Sequence, residues 1–242
     1  MDLNIKLNLL DQVYKIYDNF AERLEIACKK YCSYCCTRNV VMTTLEGFKI
    51  ISSLNSSGKT ALFENIESAR SKKRFQPKTT INSLASICAK REDIPDENSD
   101  HLWGECPLLH DGQCSVYHVR PFGCRCFVSK TDCTKEGYAE VDPFTVTVNN
   151  MFLQYIEHID SDGYSGNLTD VLGFMEVDEN RQHYRKNILD NPGKELISNM
   201  AIEYLPIPPE HRVKIQPVLQ SLQHMTIPSN IDGSDASGKS RL

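Results

Sequence analysis

Apolar residues recur at three- and four-residue steps near the start of the chain: Leu10, Val13, Tyr14, Tyr17, Ala21, Leu24 and Cys28. Asp11, Lys15, Asp18, Glu22 and Lys29 fall mostly on the other faces. The spacing predicts an amphipathic helix over the first thirty residues. In the same register Cys28, Cys32, Cys35 and Cys36 stand at i, i+4, i+7 and i+8. They share one face if the helix continues and form a tight loop if it ends, so their sulfurs come close together either way.

Thr43-Thr44-Leu45-Glu46 predicts a second helix, with a threonine cap and an acid in the first turn. Ser56-Ser57-Gly58 is expected to end it, and Ala61 to Ala69 offers another helical stretch. Arg70 to Lys78 holds five basic residues and no acid, which reads as a solvated helix end or connector, with phosphate contact as the alternative. Thr79 to Ala89 reads as one more short helix and Arg91 to Asp100 as a loop. From His101 to Asp142 periodicity is lost, although Gln113 to Val119 could supply a short strand or a single helical turn.

Asp142-Pro143 opens the clearest helix, with an acidic cap, proline at the first helical position and the stripe Val148, Met151, Phe152, Tyr155, Ile156 and Ile159. Asp162-Gly163 is expected to close it. Leu168 to Met175, Tyr184 to Leu189 and Glu195 to Tyr204 read as shorter helices, and Leu205 to Pro209 as a stiff connector. A last helix, Glu210 to Leu222, is expected to be interrupted or kinked at Pro217. Without repeats or a convincing run of alternating strands, the predicted class is mostly α. Its centre is a small helical domain with a loop-rich, cysteine-ligated metal or cluster site. Residues 1–160 are read as that domain, 161–226 as a helical extension packed on it, and 227–242 as a disordered tail.

Composition excludes several classes. With 40% hydrophobic and 24% charged residues and ordinary glycine and proline content, the chain is not collagen-like, low-complexity or wholly disordered. Twenty-seven basic residues against 32 acidic give a net charge of −5, so only the local Arg70 to Lys78 patch invites nucleic acid. No apolar run reaches the roughly 18 residues that a membrane span needs. The N-terminus lacks the basic-then-apolar plan of a secretory signal, so the expected location is cytoplasmic.

Cysteine changes this picture. All ten cysteines lie between Cys28 and Cys133, spaced Cys28-x3-Cys32-x2-Cys35-Cys36, then Cys88, then Cys106-x7-Cys114-x9-Cys124-x-Cys126-x6-Cys133. In a reducing compartment disulfides are rare, and clustered thiols point to metal ligands or redox groups. A single cysteine is more often a small buried hydrophobe. Grouping of this density favours a soft or borderline cation held by about four thiolates, with distant cysteines tying separate segments to the short-spaced ones.

Cys28-Lys29-Lys30-Tyr31-Cys32-Ser33-Tyr34-Cys35-Cys36 is followed by Cys106-Pro107-Leu108-Leu109, by Asp111-Gly112-Gln113-Cys114-Ser115-Val116-Tyr117 and by Arg120-Pro121-Phe122-Gly123-Cys124-Arg125. Together these segments resemble the CxxCxxCC zinc- or iron-chelating domain of the bacterial YkgJ-type cysteine-cluster proteins, over about residues 25 to 135. The resemblance implies an eight-cysteine metal site comprising Cys28, Cys32, Cys35, Cys36, Cys106, Cys114 and Cys124, with Cys133 or Cys126 as the eighth and Cys88 a bystander. The pattern also resembles that of flagellin lysine-N-methylase, which is associated with an iron–sulfur cluster. That likeness implies, as an alternative, a cluster-dependent enzyme with a protein lysine as substrate. A thiol redox sensor without permanent metal is the third reading.

The spare thiols and the adjacent Cys35-Cys36 tilt the cofactor toward an iron–sulfur cluster and leave zinc open. Cys28-x3-Cys32-x2-Cys35 also fits the signature of radical S-adenosylmethionine enzymes, but here it follows a helix instead of a barrel strand. Arg120 and Arg125 flank Cys124, where each could offset thiolate charge or serve as an ordinary loop arginine paired with a carboxylate such as Asp111 or Asp132. His110 and His118 could replace a missing ligand. Trp103 could shield a site or simply pack.

Overall fold

The computed structural model describes residues 1–98, 103–189 and 193–226. Helix α1 (Leu3–Ala21) begins at Asp2, whose carboxylate accepts the Asn4 N–H at 2.8 Å. Leu10, Val13, Tyr14 and Tyr17 of the predicted stripe are buried, together with Leu3, Lys6 and Leu9. The helix stops at Ala21, short of Cys28, so the first four cysteines lie on an irregular segment that turns at Tyr31 (φ 74°).

Strand β1 (Val41–Thr43) runs directly into α2 (Thr44–Ser53). Thr43 and Glu46 form a reciprocal capping box there, as the sequence suggests. Helix α3 (Ser56–Arg70) starts where a helix end was expected. The Asn55 side chain accepts the Gly58 N–H at 2.8 Å, so Ser56-Ser57-Gly58 is a first turn and not a stop. The basic run is a helix end and connector, solvated as expected at Arg70, Lys72, Lys73 and Lys78 but not at Arg74. Arg74 donates through Nε to Asp170 at 3.0 Å, is ion-paired to the same carboxylate through Nη2, and donates to the Arg70 carbonyl. Helix α4 (Ile81–Lys90) follows, capped by Thr80.

The segment before the long helix carries a small hairpin of β2 (Leu109–His110) and β3 (Gln113–Cys114), then α5 (Phe122–Arg125) and α6 (Cys133–Glu136). Gln113 to Val119 supplies both a strand and a turn of 3-10 helix. Asp142 caps α7 (Pro143–Ile159), whose predicted stripe is buried throughout. The helix ends at Ile159, before the expected Asp162-Gly163.

β4 (Tyr164–Asn167), α8 (Leu168–Glu176), α9 (Asp178–Arg185), β5 (Leu196–Ser198) and α10 (Arg212–Gln223) complete the chain. Two expectations fail here. A helix over Tyr184 to Leu189 gives way to the earlier α9, and a helix over Glu195 to Tyr204 gives way to β5 and irregular chain. Pairing explains the second: β4 is the middle of an antiparallel sheet ordered β1-β4-β5, with Met42 opposite Gly166 and Ser165 opposite Ile197. Gly166 lets β5 approach closely: a Cβ there would come within 2.4 Å of Leu196 Cδ2 and 3.1 Å of the Glu195 carbonyl oxygen, so a larger residue would displace the Leu196 side chain. Helix α10 runs through Pro217 without a break.

The fold is mostly α, with ten α-helices and five short strands among the described residues. A single apolar core extends from Leu3 to Met225. Helix α1 packs on α2, α7 and α10, and α8 on α2 and α3. Segment 161–226 therefore supplies the central strand as well as helices to that core. The tail expected over 227–242 lies outside the described residues. No helix among the described residues is long and apolar enough to cross a membrane.

Three buried carboxylates join these elements. Asp160, at the end of α7, accepts the Thr44 hydroxyl (2.7 Å), the Leu45 N–H (2.9 Å) and the Tyr184 hydroxyl (2.5 Å), with the buried Lys6 ammonium 3.5 Å away. Glu157 accepts the Asn82 and Met200 N–H groups, each at 2.8 Å, and so fixes the start of α4 and the chain after β5. Glu46 joins α1 and α2 to α5. Each places negative charge where otherwise unpaired amide donors collect.

Candidate metal centre

Two backbone seams fold the cysteine-bearing segments together. In the first, the Ala27 N–H donates to the Ser129 carbonyl at 2.8 Å, and the Ser129 N–H donates to Cys28 Sγ at 3.3 Å. The Ser129 hydroxyl accepts the Thr131 and Glu140 N–H groups, which holds the turn leading to Cys133. In the second seam, Thr37 pairs with Glu105, the Arg38 N–H donates to Gly104, and the Cys106 N–H donates to the Cys36 carbonyl at 2.9 Å. The β2–β3 hairpin then sets Cys114 opposite Leu109.

Cys124 is placed from the helical core. It lies on α5, whose first N–H, that of Phe122, donates to the buried Glu46 carboxylate at 2.6 Å. The Glu46 carboxylate also accepts the Tyr14 hydroxyl (2.8 Å), the Thr43 N–H (3.0 Å) and the Thr43 hydroxyl (3.3 Å). Just past α5, the Cys126 carbonyl accepts from Asn149, which in turn accepts the Tyr17 hydroxyl. Phe122 is fully buried, stacked on Phe152 at 5.5 Å and edge-on to Tyr17 at 4.7 Å. Gly123 passes so close to β1 that a Cβ there would stand 3.1 Å from the Val41 carbonyl oxygen. The short turn carrying Cys124 is therefore fixed at both ends and underneath.

The electrostatics show which thiols are neighbours. Burial pushes the Cys124 thiol well above its usual value, and the nearby Cys106, Cys114 and Cys35 sulfurs push it further, while Arg120 opposes them. Burial likewise raises Cys106 to about 11, with Cys114 adding to it. Cys28 is raised by burial first and then by Cys32, Cys133 and Cys35, against the Ser129 N–H that favours its thiolate. Cys35 is raised by its hydrogen bond with Cys36 and by burial. Cys28, Cys32, Cys35, Cys36, Cys106, Cys114, Cys124 and Cys133 thus form one chain of neighbours. Their side chains have not closed on a common point: among the described residues, no group of three or more His, Cys, Asp or Glu stands in position to hold a metal ion.

The other two cysteines sit apart. Cys88 is exposed on α4. Cys126 is buried in the apolar core, where burial raises its thiol to about 12, and the thiol makes a long bond to the Gly123 carbonyl (3.7 Å). Of the histidines near the site, His110 is exposed at the hairpin and faces Asp111 at 3.4 Å. His118 offers its backbone carbonyl to Arg125. Trp103 lies under the Lys73 ammonium, 4.6 Å from its ring centre.

The two arginines beside Cys124 part company. Arg125 stacks on the Tyr14 ring at 4.2 Å and donates to the Arg120 and His118 carbonyls, with Asp18 at 3.5 Å. Arg120 rests on the Tyr117 ring at 4.2 Å, and its positive charge opposes the rise in the thiol pKa values of Cys35, Cys114, Cys124 and Cys126. The residues missed by sequence reasoning are Glu46, Asn149 and Ser129, which contact the site only through backbone amides and carbonyls. Glu46 was visible as a helix-capping acid, but its reach to Phe122 N–H, 76 positions away, had no local signal.

In comparisons with protein-family models, curated proteins and solved structures, nothing matches this chain. The donor set therefore has to speak by its own chemistry. Neighbouring thiols beside an arginine fit a thiophilic cation or cluster, whose thiolates carry net negative charge. In the second seam, the buried Nε of Arg38 has no hydrogen-bond partner among the described residues. Both features fit an anionic thiolate centre in this region.

Proposed function

We propose that the chain is a metal-binding protein in which Cys28, Cys32, Cys35, Cys36, Cys106, Cys114, Cys124 and Cys133 hold an iron–sulfur cluster or zinc, in a structural or redox role. The observation that carries this reading is the sorting of the thiols. Eight are linked as neighbours through two seams that join residues far apart in sequence, while Cys88 and Cys126 are left in other settings. A bound cation would displace the protons of the eight and draw the sulfurs inward. The protein's part is then to hold the ligands near one another, to set Arg120 against their charge and to shield Cys124 and Cys106 partly from water.

The test is metal and acid-labile sulfide analysis of protein purified without air, with its absorption spectrum. Iron, sulfide and a broad band near about 400 nm identify a cluster, and stoichiometric zinc in a colourless protein identifies a zinc site. A cluster would also bring the lysine-modifying enzyme within test, by binding of S-adenosylmethionine. Protein free of both metals would sink the proposal, and reversible disulfide formation would then identify the sensor.

A further inference from the structure

The two seams do more than gather thiols: they divide them. The first sets residues 27–28 against Ser129, whose N–H donates to Cys28 Sγ and whose hydroxyl holds the turn leading to Cys133, and the Lys29 carbonyl accepts the Cys32 N–H in a turn that follows Cys28. The second brings residues 36–38 against 104–106 and, with the β2–β3 hairpin and α5, gathers Cys106, Cys114 and Cys124. The electrostatic neighbours follow the same division. Cys28 responds to Cys32 and Cys133, and Cys124 to Cys106 and Cys114. Cys35 is felt by Cys28 on one side and by Cys124 on the other.

Resting on the metal-binding reading above, we propose that the chain carries two separate thiolate centres. One is built on Cys28, Cys32 and Cys133, and the other on Cys106, Cys114 and Cys124, with the adjacent Cys35 and Cys36 giving one sulfur to each. Tetrahedral zinc and four-iron clusters both take four protein thiolates, so eight thiols are the complement of two such centres. Neighbouring residues do not easily direct both side chains at one small ion. The vicinal pair is therefore suited to a place between two centres, and it lies where the irregular segment passes from the first seam to the second. The two centres would then be linked by a single peptide unit. Arg120, stacked on the Tyr117 ring just after the hairpin, acts on Cys114 and Cys124 and so lies beside the second centre.

Native mass spectrometry with metal and sulfide analysis of the full chain tests this. Wild-type protein is expected to hold two zinc ions, or twice the iron and sulfide of one cluster. The double variants Cys28→Ser/Cys133→Ser and Cys106→Ser/Cys124→Ser are each expected to keep half, and Cys88→Ser to keep all. A wild-type count of one ion or one cluster overturns the two-centre assignment while leaving the metal-binding reading in place, and this count needs no variant to fold. Loss of all metal from either folded double variant also overturns it, because it shows one shared site. Metal-free wild-type protein removes both proposals together.

Discussion

Arg125 is engaged on protein atoms: two carbonyls, one carboxylate and the face of Tyr14. Arg120 faces thiols instead, and no carboxylate among the described residues pairs with it. Exchanging Arg120 for Leu is therefore expected to weaken metal retention by about 10-fold, the lower end for groups just outside a metal's own ligands, with little change in the melting temperature of the metal-free protein. Arg125→Leu should do the reverse. Competition against a chromogenic chelator, with parallel thermal melts, separates the two outcomes. Cysteines divide in the same way. Cys126→Ser puts a hydroxyl into an apolar core and should cost about 1–3 kcal/mol, read from urea unfolding, with unchanged metal content. Cys88→Ser should change neither. The sequence spacing alone left Cys126 and Cys133 as rivals and the two arginines equivalent, because depth in the core and the direction of a side chain are not local properties of the sequence.

Helix termini dominate at the scale of elements. Glu46 closes its own capping box and also receives the first amide of α5, so Cys124 is attached to α1 and α2 through one carboxylate. Glutamine at 46 would present an amide where donors already converge. Glu46→Gln is expected to lose about 1–3 kcal/mol of stability and to release metal faster than wild type, as measured by urea unfolding and chelator kinetics. Glu157 works similarly on α4 and the chain after β5. Its pKa is raised, chiefly by burial. The folded protein then binds this proton more tightly than the unfolded chain does. That contribution is fully present below the unfolded value of about 4.3 and is lost as pH rises through the folded value. Glu157→Gln should remove this part of the pH dependence in stability curves taken across that interval. The helices with strong stripes and caps, α1, α2, α4, α7 and α8, were legible in the chain, apart from where α1 stops. The sheet was not: Tyr164–Asn167 is buried along its whole length, so it shows no alternation, and β5 is decided by its partner β4.

For the whole molecule, specific ties join the core to the cysteine-bearing segments: Glu46 to Phe122, Asn149 to Cys126 and Asn167 to the Arg38 carbonyl. The segment over 22–40 and much of 103–142 have little regular structure, so a thiolate centre would add directly to their folding free energy. Chelation under reducing conditions is expected to lower the melting temperature and to make the amides of Cys32, Cys36, Cys106 and Cys114 exchange faster, while those of α7 stay protected. Hydrogen exchange with and without chelator reads this directly. Extended X-ray absorption at the iron or zinc edge of protein isolated without air tests the central claim most directly. The account predicts a first shell of sulfur alone, at about 2.3 Å for zinc. A shell of nitrogen and oxygen, or a sulfur shell that persists unchanged when both Cys28 and Cys106 are replaced by serine, would contradict it.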